Sequence, residues 1–331
     1  MKQVQFGRTG LRVSNLCLGT MTFGLQCDAA QANAIMDAAA AQGINFFDTA
    51  NVYPLGGGHN TTGRTEQIVG DWLKGKRHKF VLATKCAGVM GPDPWDSGTS
   101  RKHILEAIDA SLKRLGTDYV DLYQLHRYDP RTPLDETLEA LDTVVKSGKA
   151  RYVGVSNWSA HKIARGLGRG ELKNIVRIAS SQPRYNMLFR GYERDMLPMC
   201  EEEGIAVIPY NPLAGGLLTG KHNPKAPPPE GSRFQLGTAG GRYQQRYWHE
   251  REFETVEAVR KVAVEAGTSM ATLAIRWVMS NPAITAPIIG ASRPEQLADT
   301  VAAAEQGPLP ADLKKKLDEI THEWRAVDAE R

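Results

Sequence analysis

The chain has 331 residues, 41% hydrophobic and 24% charged, the balance of an ordinary globular protein that can bury a core without disulfide or metal staples. Lys and Arg number 41 against 37 Asp and Glu, a net charge of +4, and the basic residues are scattered among acids, which excludes a nucleic-acid surface as the leading reading. No apolar run approaches the roughly 18 residues of a membrane span. MKQVQFGRTGLRVS carries no basic-then-apolar leader. Cys17, Cys27, Cys86 and Cys200 form neither a CxxC pair nor a staple framework, so a cytoplasmic protein with reduced thiols is expected.

In chain order, Gln3 to Phe6 and Arg12 to Ser14 alternate in character around the turn residues Gly7 to Gly10, the pattern of a β-hairpin. Short apolar runs suited to buried strands follow at Leu16–Leu18, Asn45–Phe47, Phe80–Ala83 and Tyr119–Leu125. Between and after them, Ala29–Ala41, Thr65–Leu73, Lys102–Leu115 and Leu134–Lys146 repeat apolar residues at helical spacing. Tyr152–Val155, Ile175–Ser180, Ile205–Pro209 and Ala286–Ile289 supply later strands, and Glu193–Glu203 and Glu252–Ala266 later helices. The basic runs Lys74–Lys79 and Lys314–Lys316 read as solvated C-terminal helix turns favoured by the helix dipole. Regular alternation predicts α/β architecture with a parallel sheet, and eight units favour a closed (β/α)8 barrel over an open sheet. One domain is expected over residues 1–331, with an N-terminal hairpin cap and a C-terminal helical segment over 310–326. A Gly- and Pro-rich stretch, Asn211 to Trp248, is the longest irregular segment, either a lid over a ligand or a tolerated insertion.

In a barrel the C-terminal strand ends carry the chemistry. Asp48 and Lys85 follow the second and third apolar runs, His126 follows the fourth, and Tyr53 lies on the loop after Asp48. A phenol, an ammonium, a carboxylate and an imidazole together make a proton donor. Tyrosine, with a free pKa of about 10, must become more acidic, and a lysine cation favours its phenolate. Asp48 would hold the lysine, and His126 would bind the phenol or the substrate oxygen. Each residue alone is more often a hydrogen-bonded strand end; four useful groups on three consecutive strands point to a site.

FFDTANVY with the downstream GRTEQIVG resembles the first signature of the aldo-keto reductase superfamily, and ATKC, LKRLGTDYVDLYQLH, VGVSNWS, SSQPRYN, YNPLAGGLLTGK and PIIGASRPEQL follow in that family's order. The resemblance spans nearly the whole chain. It implies a (β/α)8 barrel that binds a nicotinamide cofactor without a GxGxxG loop, which this sequence indeed lacks. It also implies Asp48, Tyr53, Lys85 and His126 as the catalytic tetrad, with Tyr53 the general acid. By similarity, Ser156, Asn157 and Gln182 bond the nicotinamide carboxamide and Tyr210 stacks on its ring. Asn211, Leu213, Gly215, Thr219, Lys221 and Arg233 match cofactor-loop positions, with Lys221 and Arg233 directed to phosphates. Gly290, Ser292, Arg293, Gln296 and Thr300 cover the segment that cradles the adenosine phosphate.

Two departures stand out. Gly290 and Gln296 replace Lys and Arg found in many members, and Thr300 stands where Asn is frequent, so Arg293 is the remaining fork-like donor for a 2′-phosphate. NADPH is the expected cofactor, with NADH possible. Pro54 replaces a common Gly, and LGGGHNTTG lengthens a loop that would shape the substrate entrance. Trp95, Tyr128 and Trp158 are candidate pocket residues or simple packing. The expected activity is reduction of an aldehyde or ketone, a small-molecule carbonyl, with no nucleic acid, membrane or metal involved. A cofactor-binding regulatory subunit, a keto-sugar reductase and a barrel lyase are the competing readings. Oligomeric state has no signal.

Overall fold

The computed structural model describes residues 1–326. Strands β1 (Gln3–Gln5) and β2 (Arg12–Ser14) pair antiparallel with Val4 opposite Val13, the expected hairpin. Eight parallel strands follow: β3 (Cys17–Gly19), β4 (Phe46–Asp48), β5 (Val81–Cys86), β6 (Val120–Leu125), β7 (Ala150–Ser156), β8 (Ile178–Gln182), β9 (Ala206–Val207) and β10 (Ile288–Ile289). They neighbour one another in chain order, with β10 beside β3. The circle closes between β9 and the segment entering β10, where Val207 bridges Ile284 and the Ile288 amide donates to Pro209 O at 2.8 Å. The architecture is the expected (β/α)8 barrel.

Strands buried on both faces read as near-continuous apolar runs because helices cover the outside and side chains fill the inside. Phe46, Val81, Leu122, Ala206 and Ile288 pack within the barrel, and Phe6 and Val13 of the hairpin plug its N-terminal end. The Phe6 ring meets Phe46 edge-on at 5.8 Å. Gly154 on β7 is a steric necessity, since a Cβ there would lie 2.1 Å from Ser180 Oγ and 3.3 Å from Gln124 Cγ. The Ser180 hydroxyl occupies the space that a side chain on β7 would need, and Gln124 packs close beside it.

Around the strands lie α1 (Ala29–Ala41), α2 (Arg64–Leu73), α3 (Arg101–Leu115), α4 (Leu134–Lys146), α5 (Ala160–Lys173) and α6 (Met196–Glu202). Then come α7 (Gly240–Tyr247), α8 (Glu250–Glu265), α9 (Met270–Met279), α10 (Leu297–Gln306) and α11 (Ala311–Ile320). Local chemistry sets several ends. Asp28 and Gln31 form a reciprocal capping box on α1, while Ser100 caps α3 and Gly116, at φ 62°, ends it in a left-handed turn.

Helix α5 has no counterpart in the sequence-based reading. It carries Gly166, Gly168 and Gly170, each costing about 1 kcal/mol against Ala in a helix interior. Packing overrides that propensity: Ile163, Gly166, Leu167 and Gly170 form its buried stripe, and an Arg169–Asp135 ion pair ties it to α4. Segment 211–248 is also more ordered than its composition suggests. It contains 3-10 turns at Ala214–Thr219, Arg233–Gln235 and Gly237–Ala239 before α7. Lys314–Lys316 lie in the middle of α11, not at its end, and pair with Asp318, Glu319 and Glu265. Lys74, by contrast, does cap the end of α2.

No helix among the described residues is long and apolar enough to cross a membrane. The four cysteines are buried and unpaired.

Candidate active site

The parallel register brings polar side chains from consecutive strands to one end of the barrel. Asp48 ends β4, Ser156 ends β7 and Gln182 ends β8. Lys85 lies within β5, which runs past the apolar segment to Cys86, and pairs in register with Gln124 of β6. His126 follows β6 directly, its amide donating to Cys86 O at 2.9 Å.

Asp48 is the hub of this layer. One carboxylate oxygen forms the ion pair with Lys85. The other accepts from Gln124 Nε2 at 3.0 Å and Gln182 Nε2 at 2.9 Å. Lys85 Nζ donates also to Thr49 O at 2.9 Å and lies 3.4 Å from the Tyr53 hydroxyl. Tyr53 is held by its backbone, whose carbonyl accepts from Gly63 and Thr65 at the start of α2. The edge of its ring meets His126 at 5.6 Å. Asp48, Tyr53, Lys85 and His126 are therefore contiguous.

Burial dominates the electrostatics here. It pushes the Tyr53 phenol up to about 12, outweighing the opposite pull of Lys85. The expectation of a net fall below the ordinary value is thus overturned, because the loss of water costs the phenolate more than one cation returns. Burial also works against the charge on Lys85, but Asp48 and the Tyr53 oxygen restore it and hold its pKa above the usual range. His126 is driven well below the usual imidazole range by burial, then by Lys85, Arg127 and Arg242, and is neutral at pH 7.

Asp48, Tyr53 and His126 open onto a cavity of about 810 Å³ that runs along the strand ends from β3 to β10. Ser156, Asn157, Gln182, Tyr210, Asn211, Leu213, Gly215, Thr219, Lys221 and Arg233 all line it, as do Gly290, Ser292, Arg293, Gln296 and Thr300. Some of their groups are already engaged. Asn157, at φ 57°, donates to His126 O and Ser156 Oγ and accepts from the Tyr210 hydroxyl at 2.9 Å. Ser156 Oγ donates to Gln182 O at 2.8 Å. The Gln182 amide nitrogen is spent on Asp48 and Gln124. Gln296 Oε1 accepts from Ser292 N and Oγ, and Thr300 Oγ1 donates to Leu297 O.

The pocket aromatics are a correction. Trp95 is 49% exposed beneath the Lys102 ammonium, outside the cavity lining. Trp158 is 2% exposed and packs edge-on against Tyr128 at 5.0 Å, so both serve outer packing. Val52, Leu55 and Val89 supply apolar lining instead. Sequence reasoning also missed Gln124, although the two-residue period of YQLH sets it on the same face as His126. Arg127, His222, Arg242 and Arg246 line the cavity as well. The spacing of Arg242 and Arg246 in GRYQQRY is a helical signal that could have found them.

The long segment is strapped across the cavity at two points. Gln26 Nε2 donates to Gly231 O at 2.8 Å, and Thr238 N donates to Gly56 O at 3.2 Å. At the second strap the backbones nearly touch: a Cβ on Gly237, at φ 44°, would lie 2.1 Å from Gly56 O. The glycines of the LGGGHNTTG loop permit this approach.

An eight-stranded barrel with a buried Asp–Lys–Tyr cluster and a histidine at the mouth of a long cavity defines a class of barrel oxidoreductases, and comparison with known proteins assigns it. The model of the aldo/keto reductase family matches residues 15–322, and the chain belongs to that family. It is 39% identical over 329 residues to the uncharacterized oxidoreductase YrpG of Bacillus subtilis, covering 97% of this chain and 96% of that protein. It is 38% identical to a probable voltage-gated potassium channel subunit beta of Arabidopsis thaliana, covering 93% of each chain. It is 34% identical to L-glyceraldehyde 3-phosphate reductase of Escherichia coli, covering 90% of this chain and 86% of that one. It is thus an oxidoreductase of the aldo/keto reductase family.

Proposed function

We propose that the protein reduces aldehydes or ketones to alcohols using NADPH, with Tyr53 as the general acid. The observation that carries this reading is the chain of contacts from Asp48 through Lys85 to Tyr53, beside His126, opening onto a cavity of about 810 Å³.

The cavity residues fit such a cofactor. Both ring nitrogens of His222, Asn211 Nδ2 and Ser232 Oγ are buried without hydrogen-bond partners, and all three residues face the cavity. Unmade hydrogen bonds of buried groups are costly, so a polar occupant is favoured. Lys221, Arg233 and Arg293 supply positive charge for phosphates. When bound, the cofactor supplies a hydride to the carbonyl carbon.

This chain's own residues handle the proton. The Tyr53 phenol, at about 12, keeps its proton at neutral pH yet is far more acidic than an alcohol, whose hydroxyl resembles water at about 15.7. Transfer to the developing alkoxide is therefore downhill. Lys85 stabilises the phenolate left behind, and Asp48 keeps Lys85 charged and in place. Neutral His126 offers one N–H donor to the carbonyl oxygen, orienting it beside the phenol.

A second reading, a nicotinamide-binding regulatory subunit with slow turnover, draws on the full-length similarity to the Arabidopsis channel subunit. Fluorescence titration with NADPH and NADH, followed by cofactor consumption over a small aldehyde panel, separates the two. Binding with turnover supports the reductase; binding without turnover supports the regulatory role; no binding contradicts both.

A further inference from the structure

Three guanidinium groups at the catalytic end of the cavity have no assigned task. Arg127 follows His126, and Arg242 and Arg246 lie one turn apart on α7; all three line the cavity. None makes a hydrogen bond or ion pair with any described residue. Their placement near the tetrad is visible in their fields: Arg127 and Arg242 act on His126, and Arg246 acts on Tyr210. They are distinct from Lys221, Arg233 and Arg293.

No acid at this end neutralises them. Among the described residues, the cavity-lining carboxylates are Asp48, tied to Lys85, and Asp299, on α10 beside Thr300. Like charges four residues apart also repel one another on a helix face. An anion held between Arg242 and Arg246 would relieve that repulsion and satisfy donors that otherwise face only water.

Building on the reductase reading, we infer that the carbonyl substrate carries an anionic group, a phosphate or a carboxylate, held by Arg127, Arg242 and Arg246 while its carbonyl faces Tyr53 and His126. The anion is a handle and is chemically unchanged by the reaction. Guanidinium groups suit this role because their fork of donors matches both oxyanions. Three unpaired cations also draw such substrates to the mouth, an effect that salt weakens.

The test uses product alcohols, so that it does not depend on turnover. Calorimetric titrations, with and without NADP⁺, compare glycerol 3-phosphate with glycerol and 4-hydroxybutyrate with butane-1,4-diol. At least one charged alcohol is expected to bind about tenfold or more tightly than its neutral partner, as for charge-assisted bonds to a partly desolvated anion, with the advantage shrinking as salt rises. The two arms distinguish phosphate from carboxylate. Arg242→Gln combined with Arg246→Gln removes the advantage, while Arg242→Lys combined with Arg246→Lys retains part of it. Equal binding of charged and neutral alcohols, or an advantage that survives the double glutamine variant, overturns the inference. Reduction of neutral aldehydes would then leave the reductase reading standing. Anion binding lost in the glutamine variant, without turnover of any aldehyde, would instead uphold the anion site and refute the reductase.

Discussion

The ammonium of Lys85 stands 3.4 Å from the hydroxyl oxygen of Tyr53, wholly buried and tied on its other side to Asp48. The pair forms a charge network whose loss has two separable effects. Lys85→Met is expected to slow carbonyl reduction by about 10² to 10⁴, the usual contribution of a positioned acid, with NADPH affinity changed only a few-fold. It should also cost about 3 kcal/mol of stability, because Asp48 is left buried without its cation. Adding Asp48→Asn should recover stability but not rate, as chemical denaturation and steady-state assays would show.

The directions of the two catalytic pKa shifts define a pH profile. His126 is already neutral above its depressed range, and Tyr53 stays protonated until pH approaches about 12. The reduction rate should therefore be level through pH 6.5 and fall only in strong alkali. An inflexion near 6.5 that vanishes in His126→Asn would contradict the neutral imidazole.

His222 gives a separate stability signature. Burial, then the Lys221 charge, lowers its pKa from 6.5 to about 4 in the folded state. Between those values the unfolded chain binds the extra proton, so stability rises with pH through this window and is lost as pH falls. Lowering the pH from 7 to 5 should cost about 1 to 2 kcal/mol through this residue. Comparing denaturation of the wild type and His222→Gln at both pH values measures it, because the shared contribution of His126 cancels. An equal pH dependence in both proteins would reject the assignment.

Arg293 is exposed, forms no ion pair with the described residues and lines the far end of the cavity. Arg293→Ala should weaken NADPH by about tenfold while leaving NADH nearly unchanged, since only NADPH offers a 2′-phosphate to a charge-assisted bond. Equal losses in parallel titrations would remove Arg293 from that role.

Much of this was legible because barrel strands combine apolar runs with polar residues at their C-terminal ends. Asp48 and His126 mark those ends plainly, whereas Lys85 is hidden one strand residue deeper. What escaped depends on three-dimensional context. The direction of the Tyr53 shift follows from burial that sequence does not display. Helix α5 is set by packing against its glycine-lowered propensity, with Gly166 fitting against Ile178. Trp95 and Trp158 both lie on loops that follow strands, yet one turns to solvent and the other into packing. Arg242 and Arg246 sat inside a segment whose glycines and prolines masked a helix.

The central claim is that Tyr53 delivers the proton. Single-turnover oxidation of bound NADPH, with a saturating reducible aldehyde, should fall by about 10² or more in Tyr53→Phe. NADPH binding and thermal stability should stay close to wild type. Turnover at the wild-type rate with a phenylalanine at position 53 would contradict the account.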